Sequence, residues 1–479
     1  AAAAAAADLN DPAPAEAVAE LTQLLGSLRF AEAADAADKA LQGCPASTRL
    51  ARLRAEAAEA SELVKANGIS LGDVAKPGPW GRGLYTSRAV KMGEVILTEK
   101  PCIMAPRILA GMGRKPASDE SAKTALDAFK ALTPLQRHLL GFFHGWDEEL
   151  SETFAQYARE HPEAEPALRF VRVMTLNAHE YRAEPSKAAL YPLVSRANHS
   201  CDPSCALDGH PNGELYFYAL RDMEAGEELL YSYLGGHFTL HIKEHRQSQL
   251  KAVKLFDCRC ARCEASDPAL QLPCTAEGCA GFAVQSGGEG SAWVCQLCST
   301  EEPDDSPAKV ILHRMEPLLV QKVAALEGLW ANPEKDPAKY ITDWEALAKS
   351  CLKTLGPRHP VYGRALFFVV MALNTGFALE GQALCGVDAT RHTNGVRQFG
   401  IALLDYLDVS VPLGARRVLL EPIAQAVILL GTKSQDHCEV IAELVKRAGK
   451  DELIRLPWLD DKNVGLLRRV VEKHAPKDK

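Results

Sequence analysis

Apolar positions change period along the chain, and each change marks a block. From about residue 14 to 66, "LTQLLGSLRFAEAADAADKALQGCPASTRLARLRAEAAEASEL" repeats Leu and Ala at helical spacing, which predicts paired helices. Ala33, Ala36 and Ala40 ahead of Pro45 fit one helical hairpin of tetratricopeptide type, a pattern that any Ala-rich helical pair also satisfies. At "KPGPWGRGLYTSRAVKMGEVILTEKPCI" the helical period stops. Gly and Pro punctuate, and Val90, Val95, Ile96 and Thr98 gather, predicting short strands with tight turns. Residues about 107–175 return to helical period, with Thr133 placed to cap a helix that opens on Pro134.

Residues about 190–235 read as strand and loop, "ELYFYAL" being the clearest strand. Residues 237–256 read as one helix, and 258–298 hold clustered cysteines. The acidic linker "EEPDDSP" follows, and about 307–475 is helical with breaks at "GPRHP" and "VPLG". The pattern describes an α+β multidomain chain. Its blocks are a helical 1–70, a strand-rich 75–236 with a helical insert at about 107–175, a cysteine-rich 237–300 and a helical 307–479.

Composition narrows the function classes. The 479 residues carry a net charge of −8, which argues against direct nucleic-acid binding and suits attraction of a basic peptide. The longest apolar run, "ALFFVVMAL" from Ala365, is too short to span a bilayer, so no membrane association is expected. The first seven residues are Ala and Asp8 follows, without the basic start and apolar core of a secretion signal. The 14 cysteines are therefore expected in a reducing, intracellular compartment, nuclear or cytoplasmic, where clustered thiols are metal ligands more often than disulfides.

Two cysteine groups stand out. Cys274, Cys279, Cys295 and Cys298 form two thiol pairs separated by a loop with Gly287, Gly288 and Gly290, the arrangement of a closed tetrahedral zinc site. A redox dithiol is the competing reading, and it lacks the βαβ context that such motifs need. "DCRCARC" supplies Cys258, Cys260 and Cys263, one ligand short; Cys201 and Cys205 are the candidates for the fourth. His237, His241 and His245 follow a helical face and read as solvated. Cys102, Cys351, Cys385 and Cys438 sit in apolar surroundings and read as buried structural thiols.

"GRGL" (Gly81–Leu84), "NHSCDP" (Asn198–Pro203), "GEELLYSY" (Gly226–Tyr233) and "CRCARC" (Cys258–Cys263) stand in the order found in SET-domain protein methyltransferases. The chain most resembles the SMYD group, through "ALYPLVSRANHSC", "EHRQSQLKAVKLFDCRC" and "LGPRHPVYGRAL", over about residues 75–479. The span of about 105–130, where that group carries a MYND zinc finger, contains no cysteine. Ser204 and Lys254 replace an Asn and a Tyr usual in the group, and His179 falls where an aromatic channel residue is common.

The resemblance implies a SET β-fold with a pseudoknot crossing, post-SET cysteines and a tetratricopeptide-like helical C-terminal domain. It implies an S-adenosylmethionine-dependent protein-lysine N-methyltransferase acting on a histone tail or a non-histone protein. Residue by residue it places Gly81, Arg82, Gly83, Asn177, Ser195, Asn198, His199 and Phe256 at the cofactor. Tyr233 becomes the catalytic residue, with His179 and Lys254 beside it in the lysine channel. It implies two zinc ions, one on Cys201, Cys258, Cys260 and Cys263, the other on Cys274, Cys279, Cys295 and Cys298. Partner proteins would dock on the helical C-terminal domain. A catalytically weak SET scaffold that acts through that domain is the alternative.

Overall fold

The computed structural model describes residues 11–26, 29–73, 82–112, 119–147, 149–265, 271–285, 292–303, 305–330, 337–378, 387–433, 438–454, 456 and 461–474. Gly81, Cys385 and the loop glycines Gly287, Gly288 and Gly290 lie outside these residues, as does part of the acidic linker. The chain divides into two compact units that interleave in sequence. The first takes the residues up to Asn198, Leu207–Leu230 and Ala252–Phe256; the second takes His199–Ala206, Tyr231–Lys251 and the residues from Asp257 on.

In the first unit, three helices, Ala15–Gly26, Phe30–Gly43 and Thr48–Ala66, precede short antiparallel strands. The small residues fully buried on the second helix are Ala33 and Ala37; Ala36 and Ala40 stay half-exposed. The inner stripe therefore follows i, i+4 rather than the hairpin-repeat spacing. Ile69–Asp73 pairs with Arg82–Thr86, Val95–Glu99 with Leu215–Ala219, and Ile103–Pro106 with Lys187–Leu190, which in turn pairs with His179–Glu180. Between them lies a helical insert that ends in Glu165–Asn177, whose buried face includes Phe170, Val171 and Met174. Thr133 and Gln136 form a reciprocal cap: Gln136 N donates to Thr133 Oγ1 at 3.2 Å and Thr133 N to Gln136 Oε1 at 3.1 Å, with Pro134 at the first helical position.

The second unit joins the cysteine-rich segment to a helical array. Four short strands, in the order Gln271–Pro273, Phe282–Gln285, Trp293–Cys295 and Glu301–Glu302, make one antiparallel sheet. The helices that follow include Pro307–Trp330, Pro337–Leu355 and Pro360–Ala378, each opening on a proline whose missing N–H costs nothing there. "ALFFVVMAL" is part of the last of these. At 19 residues that helix is long and apolar enough to cross a membrane, and 83% of the span is buried inside the unit, as expected for a central core helix. Trp344 stacks on Phe368 at 5.0 Å, and Arg364 donates to Glu327 at 2.6 Å beside them.

The single helix expected over 237–256 is two elements: a 3₁₀ segment, Gly236–Leu240, and a helix, Lys243–Lys254. The three histidines are correspondingly not a solvated face. His241 is buried and His237 and His245 half-buried, with the His241 and His245 rings stacked at 4.3 Å and His237 edge-on to Phe368 at 5.5 Å.

Candidate functional site

In the first unit, Asn198 and Glu228 close on Gly83. This glycine lies in Arg82–Thr86, and a Cβ there would fall 2.4 Å from Glu228 Oε1 and 3.0 Å from Asn198 Nδ2. Leu229 N donates to Leu84 O at 2.8 Å and Thr86 N to Glu227 O at 2.9 Å, so the two motif segments run side by side. The turn that opens the second segment uses Gly226 at φ +89, a conformation that favours glycine. Asn198 Nδ2 donates to Glu228 Oε1 at 2.8 Å. Burial raises the Glu228 carboxyl, and the Asn198 bond opposes that shift. Glu227 pairs with Arg221 at 2.6 Å. Both glutamates thus hold the motif together rather than standing ready as a base.

Ser195 sits on the 3₁₀ turn Val194–Arg196, and its Oγ is buried with no hydrogen-bond partner among the described residues. A buried hydroxyl left unpaired is costly unless something else supplies the bond. Asn177 closes the helix Glu165–Asn177 and spends its amide N–H groups on His144 O at 2.8 Å and Val173 O at 2.9 Å. Arg82 lies on its strand, and nothing is described of its side chain. Phe256 is buried and follows Leu255, which takes φ +65 and leaves its own side chain exposed.

Lys254 donates from Nζ to Leu176 O at 2.6 Å, one of the carbonyls that a helix end leaves open. A cation there is a favourable helix terminus. Burial, and then the Lys254 ammonium, push the His179 imidazole down to about 3, so His179 is neutral. Its ring lies edge-on to Tyr191 at 6.0 Å.

In the second unit, His199 joins its own motif to the one that ends in Tyr233. Its Nδ1 accepts from Tyr233 N at 2.9 Å, and its Nε2 lies 3.3 Å from Cys201 Sγ. The Tyr233 ring sits 5.3 Å from the His199 ring and 4.9 Å from that of Tyr231. Ser200 N donates to Tyr231 O at 3.1 Å, extending the same alignment. Burial, and then Tyr233, raise the Tyr231 hydroxyl well above its usual range. On the far side of the loop, a Cβ on Gly414 would fall 1.9 Å from Pro203 O, so the helix Leu413–Val418 packs its glycine directly on the "NHSCDP" backbone.

The sulfurs of Cys201, Cys258, Cys260 and Cys263 lie within 4.8 Å of one another. Cys205, the rival fourth ligand, is buried elsewhere, 3.7 Å from Ser204 Oγ. Cys201 N points at Cys260 Sγ at 3.4 Å, Arg246 at Cys263 Sγ at 3.9 Å, and Arg262 donates to Cys201 O at 3.1 Å. Both arginines are buried. Four thiolates on a divalent ion leave two negative charges, which two buried guanidiniums balance; four neutral thiols would not. The donor set therefore fits a bound metal.

Cys274, Cys279, Cys295 and Cys298 form the second such group, also within 4.8 Å. Ala276 N, Gly281 N and Leu297 N each donate to the sulfur two residues earlier, at 3.4, 3.3 and 3.4 Å. Such N–H groups stabilise thiolate charge. A Cβ on Gly281 would fall 2.8 Å from Cys295 Sγ and 3.2 Å from Cys279 Sγ, filling the sulfur cradle. The Thr300 side chain, and then its backbone, lower the Cys298 thiol to about 6. Both cysteine groups could hold a metal ion.

Sequence motifs brought these residues forward, and they missed Arg246, Arg262, Gly281 and Gly414, whose roles depend on what faces them. Gly281 carried a signal only in its place two residues after a ligand cysteine; the crowding that requires glycine comes from Cys295 and Leu297 facing it.

Residues 81–234 match the SET domain family. The chain carries a SET domain, in a mixed α+β protein with a mostly helical C-terminal region. It is SMYD-like. Human "Histone-lysine N-methyltransferase SMYD3" is 44% identical over 79 residues, 16% of this chain and 17% of that protein. Chicken "Protein-lysine N-trimethyltransferase SMYD5" is 39% identical over 84 residues, 17% of this chain and 20% of that protein. Drosophila melanogaster "SET domain-containing protein SmydA-8, isoform B" is 28% identical over 194 residues, 38% of this chain and 42% of that protein. The chain thus matches well under two thirds of the length of each.

Proposed function

We propose that this chain is an S-adenosylmethionine-dependent protein-lysine N-methyltransferase. The observation that carries the reading is the Tyr233–His199 pair, intact inside a segment that matches the SET domain. When bound, S-adenosylmethionine supplies an electrophilic methyl group on a sulfonium. The unpaired Ser195 hydroxyl offers it a hydrogen bond, and the resemblance gives Asn198 and Phe256 to the same surroundings.

Tyr233 orients the incoming lysine amine. A free lysine has a pKa of about 10.4 and must lose its proton before it attacks; an apolar channel favours the neutral amine. Holding amine and methyl in line supplies rate by positioning. Neutral His179 adds no charge to the channel wall. Zinc on the two cysteine groups has a structural role. The substrate is a protein lysine, in a histone tail or a non-histone protein, and the helical C-terminal region is where partner proteins dock. The reading places the protein in nucleus or cytoplasm, with no membrane and no direct nucleic-acid contact.

Titration calorimetry with S-adenosylmethionine tests the cofactor half. Binding in the micromolar range, weakened about tenfold by Ser195→Ala through loss of one buried hydrogen bond, supports it. No binding by the parent protein refutes it.

One observation favours the scaffold reading: Lys254 stands where the SMYD group usually has Tyr, and its ammonium is tied to Leu176 O. Lys254→Tyr separates the two. A scaffold disabled by Lys254 transfers no methyl as it stands and gains activity with Tyr, whereas an enzyme is already active with Lys254.

A further inference from the structure

Val95–Glu99 ends on a carboxylate that the roles above leave unused. Glu99 is 4% exposed and stands in register with Leu215. Its Oε1 accepts from Leu193 N at 2.7 Å and its Oε2 from Val194 N at 2.9 Å, across 94 and 95 residues of sequence. No cation pairs with Glu99 among the described residues, so the two backbone N–H groups are what holds the charge. A buried carboxylate without a counter-charge is expensive unless hydrogen bonds hold it.

Those two N–H groups open the turn Val194–Arg196, and the first N–H groups of a helical turn have no partner of their own. The turn is otherwise closed by Ser195 N to Tyr191 O at 3.0 Å and Ala197 N to Val194 O at 3.0 Å. Ser195 lies within this turn, and Asn198 follows it by two residues.

We propose that Glu99 is a positioning residue: its carboxylate clamps the turn that presents Ser195 and Asn198 to the cofactor. The role rests on the S-adenosylmethionine reading of that turn. It has a direct chemical consequence. The ionised carboxylate accepts both N–H bonds, whereas a protonated carboxyl turns one oxygen into a donor and leaves one N–H without its acceptor.

Burial pushes the Glu99 carboxyl up to about 7, against the pull of the Leu193 and Val194 N–H groups. Among the described residues, the titratable side chain that interacts with it is Tyr191, whose hydroxyl donates to Gly213 O at 2.8 Å. The clamp is therefore complete above about pH 7 and incomplete below it. The contribution to global stability has the opposite sign. A raised carboxyl value gives a term that is present below about pH 4.5 and is lost as pH rises through about 7.

Glu99→Gln tests the clamp, because Gln keeps the shape and only one acceptor oxygen. The readouts are amide hydrogen exchange over residues 193–198, S-adenosylmethionine affinity and the pH profile of methyl transfer, with Glu99→Asp as the charge-retaining control. The role predicts faster exchange in the turn, about tenfold weaker cofactor binding at pH 8 from one lost buried bond, and loss of the pH limb near 7. Glu99→Asp should restore part of each. Unchanged exchange overturns the clamp whether or not the protein binds cofactor. Faster exchange with unaltered cofactor affinity overturns its link to the cofactor. If the parent itself binds no S-adenosylmethionine, the cofactor reading fails, and exchange alone decides the role of Glu99.

Discussion

The backbone N–H of Tyr233 donates to His199 Nδ1 at 2.9 Å, and the two rings lie 5.3 Å apart. One imidazole thus fixes where the tyrosine enters its turn, while its other nitrogen rests against the Cys201 thiol. The site's tyrosine and its cysteine cluster are parts of one connected structure, and the predictions below follow from such connections.

His199→Ala removes the acceptor for Tyr233 N and the neighbour of Cys201. Stability should fall by about 1–3 kcal/mol, the cost of an orphaned donor. Methyl transfer should fall about tenfold or more as Tyr233 loses its fixed position. His199→Asn, able to accept from Tyr233 N, should recover part of both. Thermal melts and radiolabel transfer check this; equal rates for Ala and parent would count against it.

Gly83→Ala places a methyl 2.4 Å from Glu228 Oε1. Overpacking of this kind costs about 1–3 kcal/mol. Because the clash is with one side chain tip, the double variant Gly83→Ala, Glu228→Ala should be less destabilised than the sum of the singles. A double-mutant cycle by chemical denaturation reads the coupling. Strict additivity would mean that the backbone, not Glu228, sets the requirement for glycine.

Elemental analysis should find two metal equivalents per chain. Cys201→Ser should release one of them and Cys279→Ser the other, since each cysteine belongs to a different group. Structural zinc contributes roughly 10 kcal/mol of apparent binding energy, so chelation should lower the melting temperature strongly. Arg246→Met, which leaves all eight cysteines in place, should speed metal loss from the first group only. Full metal content in Cys201→Ser would move the fourth ligand elsewhere.

Acid should destabilise the second unit. Burial, and then Arg364, push His241 down to about 2; burial pushes His359 down to about 3 and also lowers His237 and His245. The unfolded chain therefore binds more protons than the folded one below about pH 6.5, and stability is lost as pH falls from 6.5 toward 3. Glu316, raised to about 7 by burial and then Glu244, has the opposite sign and offsets part of this between about 7 and 4.5. The net slope is on the order of 1.4 kcal/mol per pH unit for each uncompensated proton. Denaturation at pH 7.5 and pH 5 should show the loss, and His241→Gln should flatten it with metal content unchanged. Greater stability at pH 5 would reverse the sign.

The motifs were legible because their chemistry is local. Cysteines at ligand spacing announce a metal group from sequence, and Thr133 with Pro134 announces a helix start. Glu99 was not legible: a glutamate in a strand next to Lys100 reads as a solvent-facing residue, and its partners lie 94 and 95 residues away. His237, His241 and His245 fit a polar helix face, yet the chain breaks into Gly236–Leu240 and Lys243–Lys254, and tertiary packing covers His241. Three-residue strands such as Gln271–Pro273 carry too few positions to show a period. Gly414 owes its importance to Pro203, far away in sequence.

The measurement that bears most directly on the central claim is methyl transfer from labelled S-adenosylmethionine to core histones and to a demethylated cell extract, with Tyr233→Phe alongside. The account predicts label on a protein band with the parent and a loss of about a hundredfold or more with Tyr233→Phe, as removal of a positioning group at the reacting atoms implies. Undiminished label with Tyr233→Phe would contradict the role of Tyr233. No label and no cofactor binding by the parent would contradict the enzyme.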